Sequence, residues 1–225
     1  FYFSSDKHIY QAIKNIFGAT NFSYSPKNSL DITGFAIYNS SRIDSKERTF
    51  RQYTDSDLGI PNELKEDSTD ERSTQWLLKL SASYKPNFNN QIDYDILGRI
   101  SNDKQTQNVF SSVIGNTNQI EETTPFSINQ NLNYYFTLDE SSIFALEVQH
   151  LWSDEDPFYN AVLEEKENYA ATAESLGLNT DQINYNLAQD RRIKSNQLDA
   201  KLDYYFIINP KSNLNLTFGS IFSNQ

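Results

Sequence analysis

The chain has no cysteine and no methionine, and only two histidines, seven glycines and six prolines among its 225 residues. Without cysteine there is no disulfide framework, no thiolate zinc site and no cysteine nucleophile. His8 and His150 lie far apart and lack the spacing of metal ligands. The glycines are scattered, so no phosphate-cradling loop is present, and no Gly-x-Ser-x-Gly or Ser/His/Asp grouping stands out. No stretch approaches the roughly 18 apolar residues that a membrane-spanning helix needs, and no charged-then-apolar leader opens the chain. With no Met even at position 1, the chain is expected to be a processed protein or an excerpt.

Charge of one sign is also scarce. There are 19 Lys and Arg against 30 Asp and Glu, a formal charge of −11, and no basic run interleaves with the aromatics. Such a chain repels phosphates, so nucleic acid is not an expected partner. The residues point to no catalytic group, metal or cofactor, a non-enzymatic protein is expected, and the substrate-binding residues stay unknown at this level.

Rings in polar company are what the chain does have. Phe and Tyr number 15 and 14, while mean hydropathy is −0.66. From Phe126 the even positions read Phe126, Ile128, Gln130, Leu132, Tyr134, Phe136 and Leu138, and the odd ones are mostly Ser, Asn and Thr. Period two means a strand with one apolar face. The same even register holds for Phe144 to Trp152, Leu198 to Ile208, Leu214 to Phe222, Trp76 to Tyr84 and Ile92 to Ile100. It is weaker around Phe22, Tyr24, Leu30, Ile32, Ala36 and Tyr38. Several of these faces run nine or more residues without a charge, the span of a tilted transmembrane strand.

Four hairpins repeat one plan, with turns predicted at Pro26 to Ser29, Pro86 to Asn90, Asp139 to Ser142 and Asn209 to Asn213. Aromatic residues gather beside each short turn, as an interfacial girdle would. The other connections, about 54–72, 102–124 and 153–191, are long, polar and acidic, and are expected to be extracellular loops. The third is expected to carry a surface helix from Asn160 to Leu176, ended by Gly177.

The fold class this predicts is all-β, an antiparallel up-and-down transmembrane β-barrel, of which about eight strands are present as part of one barrel domain. If the short turns are periplasmic, Gln225 ends outside the cell and so do the first residues, with Phe1, Tyr2 and Phe3 as the top of an earlier strand. Since a barrel leaves no unpaired edge in lipid, an internal excerpt of a larger barrel is expected.

The segment NIFGATNFSYSPKNSLDITGFAIYNSS, with aromatic-x-aromatic before a Pro-containing turn and an LDITGF-type strand after it, resembles barrel strands of TonB-dependent receptors of the Bacteroidota type. The later YYF-turn-apolar segments are similar. The resemblance implies a roughly 22-stranded barrel in the outer membrane of a Gram-negative cell. It also implies an N-terminal plug and import of a scarce nutrient such as a siderophore, vitamin, glycan or peptide. TonB with its inner-membrane motor, outer-membrane lipid and a surface lipoprotein are the partners it implies. No plug domain or TonB-contacting segment is seen in these residues. A passive or structural barrel (porin, adhesion or secretion component) is the alternative, and a soluble glycan-binding β-sandwich is a third.

Two expectations on the polar face are specific. The same-side pairs Asp93 with Asp95 and Asp199 with Asp203 read as wall charge networks rather than as acid/base pairs. Hairpin pairing around Pro86 to Asn90 should set Lys79 opposite or diagonal to Asp95 as an ion pair.

Overall fold

The computed structural model describes residues 2–53 and 61–225, with side chains over the same ranges except at 2–11, 53 and 166. Eleven strands form one antiparallel sheet: β1 (Tyr2–Lys27), β2 (Leu30–Tyr53), β3 (Glu63–Asn87), β4 (Asn90–Ser111), β5 (Gly115–Thr123), β6 (Phe126–Asp139), β7 (Ser142–Glu155), β8 (Phe158–Leu163), β9 (Tyr185–Asp190), β10 (Ile193–Asn209) and β11 (Ser212–Asn224). The main path runs β1-β2-β3-β4-β6-β7-β10-β11, eight strands in chain order. The other three form a wing: β5 pairs with the upper half of β4, then β8 pairs with β5 and β9 with β8. The sheet therefore forks above Ile100, where β4 leaves β6 for β5.

Register follows the apolar period. One cross-strand row reads Tyr24, Ile32, Ala82, Tyr94, Leu132, Val148, Ala200 and Ser220 over all eight strands of the path. Directly opposed residues share a face, so the even positions between the belts make one largely apolar surface, interrupted by Gln130 opposite His150. Apart from Gly34 and Ser142, every buried strand residue among those whose side chains are described is odd: Thr49, Ser101, Ser111, Thr117, Ala145, Ala161, Tyr185 and Asp203. Large even side chains such as Leu80, Leu202, Phe218 and Phe222 stay 42–68% exposed. Side chains converge on the concave side of a curved sheet and splay on the convex side. The polar odd face is therefore the inside of the wall.

Two aromatic belts bound the convex apolar band. The lower one, beside the short turns, holds Tyr84, Tyr134, Phe136, Phe144 and Tyr204, with the Phe144 and Tyr204 rings stacked at 4.6 Å. The upper one pairs Tyr38 with Trp76 at 4.6 Å and Phe126 with Trp152 at 5.3 Å. From Phe126 to Phe136 along β6 is about 33 Å at 3.3 Å per residue. Tilted by roughly 45°, that covers about 23 Å, close to the apolar band of a transmembrane barrel. No described helix is long and apolar enough to cross a membrane.

All four hairpins close in two residues, at 28–29, 88–89, 140–141 and 210–211. Asn87, Asp139 and Asn209 each accept a bond from the backbone N–H two residues on, at 3.0, 2.7 and 2.9 Å. These Asx turns substitute for a backbone turn bond. The turns are also stitched sideways, since Lys85 N–H donates to Ser29 O, Thr137 N–H to Asn89 O and Ile207 N–H to Ser141 O, at 2.7–2.8 Å.

The long connections depart from the expected loops. Much of 54–72 is strand: β3 begins at Glu63, while Asp55 and Asp57 lie outside the described residues. The acidic run is held there by cations on β2, Arg51 to Glu63 at 3.1 Å and Lys46 to Glu66 at 3.3 Å. Within 102–124, β4 continues to Ser111 and β5 returns from Gly115, whose φ of +87° suits glycine. Within 153–191 the first part of the expected helix, from Asn160 to Leu163, is strand β8, and its later part is a 3-10 turn at Lys166–Tyr169 running into α1 (Ala170–Ser175). Asn160 caps nothing; its Nδ2 donates to Asn186 at 2.7 Å. Pairing with β5 overrides the local helix preference of AVL. Gly177, at φ +69°, does end the helix. Tyr2 and Phe3 also belong to β1 itself, paired with Tyr53 and Gln52, and not to an earlier strand.

Candidate functional site

The concave wall concentrates the polar chemistry. Its middle rows read Thr33, Ser81, Asp95, Asn131, Gln149, Asp199 and then Asp31, Ser83, Asp93, Asn133, Glu147, Lys201. The expected Lys79–Asp95 pair is present, diagonal across β3 and β4 at 3.3 Å. Ser81 donates to the same carboxylate. Asp93 accepts from Ser83 and Gln91, each at 2.6 Å. The two aspartates are thus held by separate serines, which is a wall network and not a shared-proton pair.

Further round the same concave face, Asp203 is 1% exposed and lies 2.9 Å from Lys201, with Thr217 Oγ1 donating to it. Asp199 accepts from Gln197 at 3.0 Å. Lys201 also reaches Glu147 at 3.5 Å. Between these strands lies an open groove of about 740 Å³, lined by Asp95, Asn131, Asn133, Glu147, Asp199 and Lys201. Hydrogen-bonded carboxylates and amides at this density make a wall that water and polar solutes can wet.

Sequence reasoning missed a second concavity, at the fork. One row, Glu71, Gln105, Glu121, Tyr159 and Gln189, crosses β3, β4, β5, β8 and β9 on the concave face and borders a cleft of about 350 Å³. Only pairing between distant segments assembles it, so no local pattern could have shown it.

Charge is sorted by face above the upper belt. The convex side of β1–β5 there carries Lys14, Arg42, Lys46, Arg48, Arg72 and Lys104 against Asp44, Glu66, Asp70 and Glu122. The concave side carries Glu47, Glu63, Asp67, Glu71, Asp103 and Glu121 against Arg51 and Lys65. Asp70 sits between two guanidiniums, and the Arg72 hydrogen bond, seconded by Arg42, holds its carboxyl below the usual carboxylate range. Asp156, fixed by the Thr124 hydroxyl and backbone N–H, each at 2.7 Å to Oδ1, is likewise lowered.

His150 lies on the convex face, with Nε2 2.9 Å from Asn196 Oδ1 and Nδ1 3.3 Å from Gln130 Nε2. Tyr94 completes this chain by donating to Gln130 Oε1 at 2.7 Å. His8 falls where side chains are outside the described residues. Among the described residues no group of three or more His, Asp or Glu is placed to hold a metal.

No family model matches the chain, and no curated protein does. Among solved structures it is similar to the RagAB peptide transporter, at 8% identity over 93% of this chain and 32% of that one, with a TM-score of 0.43. The RagAB peptide importer in its open-open state gives 8%, 92%, 31% and 0.47. The ferric yersiniabactin uptake receptor FyuA from Yersinia pestis gives 10%, 93%, 42% and 0.40. These are likenesses of fold alone, and the chain spans about a third of the first of them.

Proposed function

We propose that this chain is part of the barrel wall of an outer-membrane transporter of the TonB-dependent receptor type, which imports a scarce nutrient. The observation that carries the reading is the sorting of chemistry by curvature. The convex face between the two aromatic belts is apolar apart from the hydrogen-bonded Gln130 and His150, and the concave face is lined with hydrogen-bonded carboxylates, amides and hydroxyls. Lipid outside and water inside is the arrangement this requires.

The strands also suit a transporter. β1 to β4 run 22–26 residues where about 9–11 cross the bilayer, so half of each stands above the membrane as a wall around the entrance. β1 and β11 are edges of the described sheet, and open edges cannot persist in lipid, so further strands complete the barrel. In this reading the expected plug, TonB and its motor, and a surface lipoprotein act with parts of the protein beyond the wall.

The test is uptake by cells carrying the whole protein, with and without TonB. Accumulation against a gradient that vanishes without TonB supports the reading. Equal uptake in both strains, following the external concentration, would replace it with a passive barrel.

A further inference from the structure

We propose that the convex face just above the upper aromatic belt is a binding site for phosphorylated lipid headgroups of the surrounding outer leaflet. The proposal takes only the membrane placement from the functional reading above.

Four cations stand side by side in one cross-strand row, Lys14 on β1, Arg42 on β2, Arg72 on β3 and Lys104 on β4. Neighbouring strands are about 4.8 Å apart, so the row is about 14 Å long. Like charges directly opposed in a sheet oppose folding. Their internal relief is incomplete. Asp70 is shared by both arginines, 2.9 Å from Arg72 Nε, Asp44 also reaches Arg42 at 3.4 Å, and Glu122 meets Lys104. Lys14 has no ion-pair partner among the described residues. Four to six residues further up, Glu66 is again shared by two cations, Lys46 and Arg48, each at 3.3 Å.

Height selects the ligand. The row lies four residues above Tyr38 and Trp76, with Ser40, Thr74 and Asn102 between. Four residues are about 13 Å along the strand and about 9 Å along the membrane normal at a 45° tilt. That is headgroup level for a belt seated at the apolar boundary. Cations are gathered there on the lipid side alone, in a chain whose formal charge is −11 and whose concave face at that height is acidic. Guanidinium forks match phosphate oxygens two at a time, so a row of them fits a phosphorylated headgroup.

The experiment uses the whole protein in neutral-lipid nanodiscs containing a small fraction of a bisphosphorylated diglucosamine lipid. Lipid retained after detergent exchange is read by mass spectrometry. The Arg42→Gln/Arg72→Gln variant should retain about 25-fold less, about fivefold per cation removed at a membrane surface. Asp70→Asn, which frees Arg72 and leaves Arg42 only Asp44 at 3.4 Å, should retain more. Lys65→Gln, seven residues further up β3 on the concave face, should match the parent, and heat-modifiable gel mobility confirms that each variant is folded. Equal retention by the double variant, equal loss in Lys65→Gln, or equal binding of the dephosphorylated lipid overturns the proposal, as does binding of inorganic phosphate with no lipid retained. Charge-dependent lipid retention in a barrel whose uptake ignores TonB supports the proposal and removes the transport reading, so the two fail separately.

Discussion

The ring of Phe22 closes over the bare backbone of Gly34, its cross-strand partner on the convex face. A Cβ at Gly34 would stand 2.6 Å from Phe22 Cε1 and 2.8 Å from the Lys79 carbonyl oxygen on the next strand. The ring can swing away, but the carbonyl belongs to the ladder. Gly34→Ala should therefore destabilise the barrel by about 1–3 kcal/mol, as overpacking does. Phe22→Ala in the same chain should recover only part of that. Urea midpoints for the two single variants and the double variant measure it, and full recovery would place the strain on the ring alone.

On the concave face, Lys79 and Asp95 are 38% and 32% exposed, so their 3.3 Å pair is screened and worth at most about 1 kcal/mol. Lys79→Met should cost less than that and flatten the salt dependence of unfolding. Lys79→Glu should cost more, because it adds repulsion to Asp95 while Ser81 still holds that carboxylate. The swapped pair, Lys79→Asp with Asp95→Lys, should fall between. If all three unfold at the parent's midpoint, the pair contributes nothing.

The even-apolar register, the four turns and the Lys79–Asp95 diagonal were legible because each depends on residues close in sequence or on the fixed period of a strand. Strand β6 shows this, since its faces are written in Phe126 to Leu138 without help from a neighbour. The upper halves of β2 to β5 were not legible, because Arg42, Glu66 and Lys104 alternate no apolar face and are strand only through cross-strand pairing. The wing fails for the same reason. Asn160 and AVLEEK favour a helix locally, yet Phe158 to Leu163 meet β5 forty residues away and become β8. The fork cleft inherits that difficulty, with Glu71 and Gln189 brought into one row by four successive pairings.

Adjacent positions on β3 should respond oppositely to charge. Leu80 is convex, midway between the belts, and Ser81 is concave. Leu80→Arg should cost about 2–4 kcal/mol, the penalty for a cation at mid-bilayer on the lipid face. Ser81→Arg should cost about 1 kcal/mol or less, since the concave wall is wet and Asp95 is within reach. Folding yield of the whole protein into bilayers, read by gel mobility, separates them. Comparable losses for both would invert or abolish the face assignment.

At the fork, Asp156 ties the link between β7 and β8 to Thr124, in the link between β5 and β6, through two bonds of 2.7 Å to Oδ1. Those bonds favour the carboxylate and lower its pKa in the folded chain. A lowered folded pKa means that the stabilisation is present above the unfolded value, near pH 4, and is lost as pH falls through the folded one. Amide exchange at residues 122–126 and 154–158 should therefore be slow at pH 5 and accelerate, after correction for intrinsic rates, below about pH 4. Asp156→Asn keeps an acceptor but cannot ionise, so it should show weaker protection at pH 5 and no acid step. Thr124→Val removes the hydroxyl donor and leaves the backbone one, and should shrink the step. An acid step of parent size in Asp156→Asn would assign the transition to another carboxylate, with Asp70, held low by Arg72 and Arg42, the next to test.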